Sequence, residues 1–332
     1  MDIKACRTAT INATKWLLSQ QDPDGSMRPV ELGVATYHRA PFALAIMGQS
    51  ERAARLCGWI SANAIDEDGD LTLVYPRQGL HKRFYPIANS WVLMGAQVTG
   101  SFRVSAPSLG FLTSLQHPQS GGFIQGGPDA ALDSEQDAMT TATAGLACLY
   151  AGQFDVAQKA GDYLVRLLEA QPANTARLVF VTRKGVEIVR DYPEERSEWY
   201  AITVGKTEQW YHVPGLAAGF LARLSEVTGN DDYLGVAGQY LTMADSCGSD
   251  RYTFGTSPLF GWGAAVLYSV SGNTNFRRIA GAVADGMLEL QLANGSWLKG
   301  SMGEDEESDV VDATAEGIIA LTAILQAMAS GE

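Results

Sequence analysis

The chain has few cysteines, few histidines and little positive charge. Its four cysteines, Cys6, Cys57, Cys148 and Cys247, stand far apart with no CxxC spacing. That scatter excludes a zinc ribbon or a disulfide framework, and each thiol falls in or near a helical stretch, where a buried free thiol suits a reducing cytoplasm. No apolar run approaches the roughly 18 residues that a spanning helix needs, and Met1-Asp2-Ile3-Lys4 opens no apolar leader. A cytoplasmic chain with no membrane span is therefore expected. Lys and Arg number 24 against 37 Asp and Glu, a net charge of -13. This balance repels phosphate backbones, so nucleic acid is not an expected partner. The only dense basic cluster is His81-Lys82-Arg83. There is no P-loop, no GxGxxG after a strand and no GxSxG, so no cofactor is expected.

Glycine, by contrast, is abundant and regularly placed. Gly48, Gly100, Gly152, Gly229, Gly272 and Gly331 each close a helical stretch, at intervals of roughly 55 residues, the mark of a repeat array. Five of them precede a polar residue able to start the next helix, as in Thr228-Gly229-Asn230 and Ser271-Gly272-Asn273. Between these glycines the chain divides into helix pairs. First members span 3–20, 50–64, 105–116, 154–170, 231–247 and 274–291, with amphipathic spacing such as Tyr163, Leu164, Leu167 and Leu168. Second members span 38–47, 86–98, 137–150, 213–227, 258–270 and 310–329. They carry small residues on several faces, as in Gly215-Leu216-Ala217-Ala218-Gly219, and Pro41, Pro86, Pro214 and Pro258 near their starts.

Helices crowded on all sides need small residues, so the second members form an inner ring. The expected fold is all-α: an (α/α)6 toroid over residues 1–332 as one domain, with its functional site where the outer-to-inner loops open. Those loops are the long ones. In the fourth, residues 178–181 and 186–189 flank Arg183-Lys184-Gly185 and predict a β-hairpin near 178–189.

Three outer-to-inner turns carry a motif. Gln21-Asp22-Pro23-Asp24-Gly25-Ser26 and Gln291-Leu292-Ala293-Asn294-Gly295-Ser296-Trp297 resemble the QxxDGSW repeat of the terpenoid cyclases and protein prenyltransferases, and Gln116 to Phe123 is a looser copy. Each reads as a structural staple, its Gln bonding the end of the outer helix. The last inner helix, opening Asp309-Val310-Val311-Asp312-Ala313-Thr314-Ala315-Glu316, is similar to the DxDDTA acid motif of class II terpene cyclases. The resemblance places Asp312 at the protonating aspartate, with Val310 and Ala313 where the motif has two further acids. An Asp312 carboxyl in an apolar funnel is expected to be a mild general acid, and Asp309 an N-cap. Asp245-Ser246-Cys247 has the DxC form of the prenyltransferase zinc site but lies too early, and Asp312 stands in place of its His. No DDxxD pattern for magnesium diphosphate is present. No metal is expected.

The third inner helix repeats the pattern from Asp137, with Thr140 matched to Asp312. Other inner starts place Tyr37, His38 and Arg39, Tyr85 and Trp91, Trp210, Tyr211 and His212, and Phe260 and Trp262 around the same funnel. Asp312, His38, Tyr211 and His212 are the catalytic candidates. Tyr37, Arg39, Tyr85, Trp91, Asp137, Thr140, Trp210, Phe260, Trp262 and Glu316 are the substrate-binding ones. Arg39, Arg77 and Arg83 are able to clamp a carboxylate, with Arg77 expected as a solvated charge. The expected activity is cofactor-independent cyclisation or isomerisation of one small apolar metabolite, terpenoid or polyketide, assisted by a general acid or hydrogen bonds and extending to pericyclic closure such as Diels–Alder. Two alternatives stay open: a carbohydrate epimerase or glycoside hydrolase on the same toroid, and a non-catalytic binding module.

Overall fold

The computed structural model describes residues 1–72, 77–172, 176–185, 187–298 and 306–329. In chain order its helices are α1 (Ile3–Ser19), α2 (Val34–Tyr37), α3 (Ala40–Ile46), α4 (Ser50–Asn63), α5 (Gly79–Arg83), α6 (Pro86–Val98) and α7 (Phe102–Ser114). There follow α8 (Ala138–Tyr150), α9 (Phe154–Glu169), α10 (His212–Thr228), α11 (Asp232–Asp245), α12 (Ser257–Ser271), α13 (Thr274–Leu290) and α14 (Glu306–Ala329). Helices α3, α6, α8, α10, α12 and α14 each pack against the next, and α14 returns to α3, closing the ring. The remaining long helices lie outside it, so the chain is an (α/α)6 toroid.

Element bounds match the sequence pattern closely, with two differences at the ends of the inner ring. The first inner helix is broken into α2 and α3, leaving His38 and Arg39 at the joint. The last begins at Glu306, so Asp309 lies inside the first turn of α14 and is not its N-cap. Helix α14 also corrects the membrane reading: Val310–Ala329 is long and apolar enough to span a bilayer, yet 72% of that window is buried in the ring. An inner helix has no polar face to show.

Small residues set the ring's width. A Cβ on Gly263 would lie 2.0 Å from the Gly215 carbonyl oxygen, and one on Gly215 would lie 2.3 Å from that of Leu259, so α10 and α12 cross backbone to backbone. The five described capping glycines all take left-handed φ between 67° and 73°; Gly331 lies outside the described residues. Of the polar residues after them, Asn230 and Asn273 accept from the backbone N–H two residues on. Helices α4, α7 and α9 start without a side-chain cap.

The glutamine turns bind forward rather than back. Gln21 donates to the Gly25 carbonyl and to Arg52 O at 3.0 Å, Gln116 to Gly121 and Val156, and Gln291 to Gly295 and Ala9. Each therefore ties its own turn to the next outer helix, and Gln291 ties the last repeat to the first. A fourth turn of this shape, Asp66 to Asp70, lacks the Gln but keeps the Asp66 N–H to Asp70 carbonyl bond.

Among the described residues five short strands lie on the loop side: β1 (Gln136–Asp137), β2 (Arg177–Val179), β3 (Val181–Arg183), β4 (Glu187–Ile188) and β5 (Ala201–Thr203). The hairpin is β3 with β4, turning at Lys184 and Gly185, both at positive φ. Its first arm is shorter than the apolar run 178–181: Leu178 and Val179 pair with β5, while Val181 pairs with Asp137 and fastens the hairpin to the start of α8. Val186 lies outside the described residues.

Candidate active site

The break between α2 and α3 places His38 and Arg39 opposite the first turns of α14. There Asp312 and Glu316, four residues apart, share a helix face. The Arg39 guanidinium donates from Nη1 to both oxygens of Asp312, and its Nη2 lies 3.3 Å from Glu316. The His38 ring faces the Val34 carbonyl through Nδ1 at 2.7 Å and the Asp312 carboxylate through Nε2 at 3.2 Å, the latter an ion contact too bent for a straight hydrogen bond. All four side chains are buried, and Arg39 lies 5.3 Å from the Trp91 ring centre.

Two features of this cluster follow from its partners. Both His38 nitrogens face oxygens that only accept, an arrangement that favours the doubly protonated ring. Asp312 accepts from a cation at both oxygens, which is an ion pair and not the isolated acid in an apolar funnel that the motif suggested. Arg39 thus sets a positive charge between two buried carboxylates, as buried charge requires.

A second tyrosine–histidine pair stands at the start of α10. His212 is half-buried and its Nε2 lies 3.0 Å from Met139 Sδ on α8. A thioether only accepts, and weakly, so this contact is a hydrogen bond in the tautomer that carries its proton on Nε2. Trp210 packs on the same ring at 5.3 Å, with Phe84 and Trp199 against Trp210. The backbone N–H groups of Phe123 and Trp297 donate to Thr141 and Thr314 respectively. These bonds set the register of α8 against α14, so Met139 matches Asp312 and Thr140 matches Ala313. The earlier match of Thr140 to Asp312 was one residue out.

Arg77 is also corrected: it is buried and donates to Asp70, Asn89 and the Tyr85 carbonyl, its guanidinium 3.7 Å from the Tyr85 ring centre. Tyr85 in turn donates its hydroxyl to Asp70. Tyr37 leans on Trp59 of outer helix α4 at 5.7 Å, and burial pushes its phenol well above the usual range.

Other candidates serve packing and capping. Tyr211 donates its hydroxyl to Asp250 at 2.7 Å, apart from the His38 cluster. Asp137 caps α8 by accepting from the Thr140 N–H and also accepts from Gln125; burial raises its carboxyl above the usual aspartate range. Phe260 stacks on Tyr252 and Trp262 fills the space over Gly219. Thr140 is fully buried on the first turn of α8. Asp245 belongs to an ion network with Arg251, Tyr252 and Arg278, and burial pushes the Cys247 thiol up to about 11.

Sequence reasoning passed over His81, whose ring meets His38 edge to face at 5.0 Å, and the Asp70–Arg77–Asn89 group. His81-Lys82-Arg83 was the one visible signal, noted as the only dense basic cluster.

No family model and no curated protein matches the chain. Its backbone is similar to a D-mannose isomerase (TM-score 0.72, 11% identity, 97% of each chain covered). It is also similar to a GH76 α-mannanase of Bacteroides thetaiotaomicron (0.63, 14%, 97% of each). A third solved structure, a type II terpene cyclase of Scytonema, MstE, bound to geranylgeranyl dihydroxybenzoate, matches at 0.61 and 13% identity, covering 98% of this chain and 99% of that one. All three are enzymes and all carry the α/α toroid; at such identities the likeness establishes the fold of this chain.

Proposed function

We propose that this protein is a cofactor-independent isomerase or cyclase that rearranges one small neutral molecule, a terpenoid or polyketide natural product bearing a carbonyl, inside the toroid. The observation that carries this reading is the contrast between the two histidines. His38, held between a carboxylate and a carbonyl, is the acid side of the pair, a positive ring whose field polarises a substrate oxygen. His212, with its proton on the thioether side, offers a basic nitrogen to accept one. Two titratable groups driven into opposite states by their surroundings make an acid and base assignment. Asp312 and Arg39 position His38, and Glu316 steadies Arg39. The aromatic rings of Trp91 and Trp210 supply the walls against which a flexible chain folds into its reactive pose, worth several kcal/mol in rate as an order of magnitude. A pericyclic closure assisted by the His38 field uses the same parts.

A second reading, isomerisation or hydrolysis of a carbohydrate, is favoured by the paired charge at Arg39 and Arg77, which suits hydroxyl groups as well as a carbonyl. A thermal-shift screen separates the two. Stabilisation by terpenoid and polyketide ketones and acids, absent in a His38→Asn variant whose circular dichroism shows it to be folded, is the expected outcome. Stabilisation by monosaccharides alone moves the assignment to the second reading, and incubation of any hit in D2O then tests for solvent deuterium in the recovered compound.

A further inference from the structure

Beside the toroid's interior, between α5, the 125–135 loop and the turn over 194–199, lies an open cleft of about 1060 Å³ that no part of the reaction above uses. Its chemistry is unusual in its balance. Lys82, Arg83, Arg183 and Arg196 line it. So do Asp133, Glu135, Glu195 and Glu198. An anion entering the cleft meets four carboxylates, a cation meets four positive groups, and an apolar ligand would strip water from all eight. Trp199 supplies one broad apolar surface, half-buried, with Arg83 5.2 Å and Arg196 4.5 Å from its ring centre. The Arg83 guanidinium is held in place, donating to Glu135 at 2.8 Å and to the Tyr200 hydroxyl at 2.9 Å. Arg196 is exposed and has no such anchor among the described residues, so a ligand can take its place on the indole.

We infer that this cleft is a second ligand site, one that takes a neutral hydroxyl-bearing ring of the pyranose kind. Such a ring has an apolar face the size of an indole and a rim of hydroxyls that both donate and accept. Those hydroxyls match alternating guanidinium and carboxylate partners without adding net charge. Trp199 continues inward to Trp210 at 6.3 Å, and Trp210 to His212, so a ring seated in the cleft lies at the outer end of an aromatic path to the interior. A molecule with one ring at Trp199 and a reacting group farther in is the shape that fits both places. The inference stands apart from the reaction proposed for the interior, since it concerns different side chains.

Isothermal titration calorimetry with maltose, cellobiose and lactose tests it on the whole protein. At least one disaccharide is expected to bind in the millimolar range, with Trp199→Ala weakening it about tenfold, Trp199→Phe less, and Arg196→Ala not at all. Ser134→Trp, which fills the cleft, must abolish binding and keeps the test open if Trp199→Ala fails to fold. Absence of binding by all three sugars overturns the assignment. So does sugar binding that survives both Trp199→Ala and Ser134→Trp, because that sugar sits elsewhere. Neither result bears on the interior reaction, which the ketone and acid panel tests separately.

Discussion

His38 and His212 occupy matching places in the ring. Each follows a tyrosine at an inner start and meets the inner helix that precedes its own, α14 for His38 and α8 for His212. The partner in the same register is Asp312 in one case and Met139 in the other. A carboxylate in place of a thioether thus puts one scaffold position in a buried ion cluster, while its counterpart is a half-buried imidazole beside a sulfur. The repeat sets where the histidines stand, and the residue one helix earlier sets what each can do.

The largest way to break this contrast is Asp312→Ala. It takes the carboxylate from His38 and leaves the buried Arg39 with Glu316 as its carboxylate neighbour, and is expected to cost about 3–5 kcal/mol in urea unfolding, whereas Met139→Leu should cost less than about 1.5 kcal/mol. If both changes prove equally mild, the cluster is not the charged one described. Met139→Asp sharpens the comparison from the other side, by giving His212 the carboxylate that His38 has. Histidine NMR titration should then show His212 holding its proton to higher pH than in the wild type.

A smaller effect separates seam from ring. Gln291→Ala and Gln116→Ala each remove two hydrogen bonds to backbone carbonyls, expected to cost about 1–3 kcal/mol by leaving those acceptors unmet. The loss at Gln291 should be the greater, because it joins the two ends of the array. Equal losses in denaturant midpoints would show that the seam is no weaker than any other junction.

The smallest effect concerns the start of α8, where Met139 sits. Burial raises the Asp137 carboxyl above its ordinary 3.8, so within the window between those two values the native state holds a proton that the unfolded chain has released. Stability from this group therefore falls as pH rises through that window. Asp137→Asn keeps the oxygen that caps Thr140 and should gain stability relative to the wild type as the pH rises above that ordinary value, readable as a crossing of the two melting-temperature curves. Parallel curves would mean that Asp137 ionises normally.

The repeat was legible because its signals are local. Glycine caps, prolines at inner starts and the Gln-x-x-Asp-Gly-Ser turns each act within a few residues, and the helix bounds drawn from them fall close to those observed. The ion cluster was not legible in the same way. Arg39 and Asp312 are 273 positions apart and nothing in either neighbourhood names the other. Arg77 shows the same limit: its partners Asp70 and Asn89 flank it in sequence, but only the fold reveals that water has left all three. Register was the subtlest loss. Counting from Asp137 put Thr140 opposite Asp312, whereas the hydrogen bonds of Thr141 and Thr314 shift the frame by one and bring Met139 into view.

The clasp between the first and last inner helices also orders events in time. During synthesis, His38 and Arg39 emerge long before Asp312 and Glu316 exist, and no nearer part of the chain supplies the carboxylates they meet in the finished ring. Closing a loop of that span comes late in any folding route. A chain stopped before α14 would therefore hold most of its helices and none of its ion cluster. The ion cluster is completed by the same step that closes the ring, so an unfinished ring holds His38 and Arg39 without the carboxylates of α14.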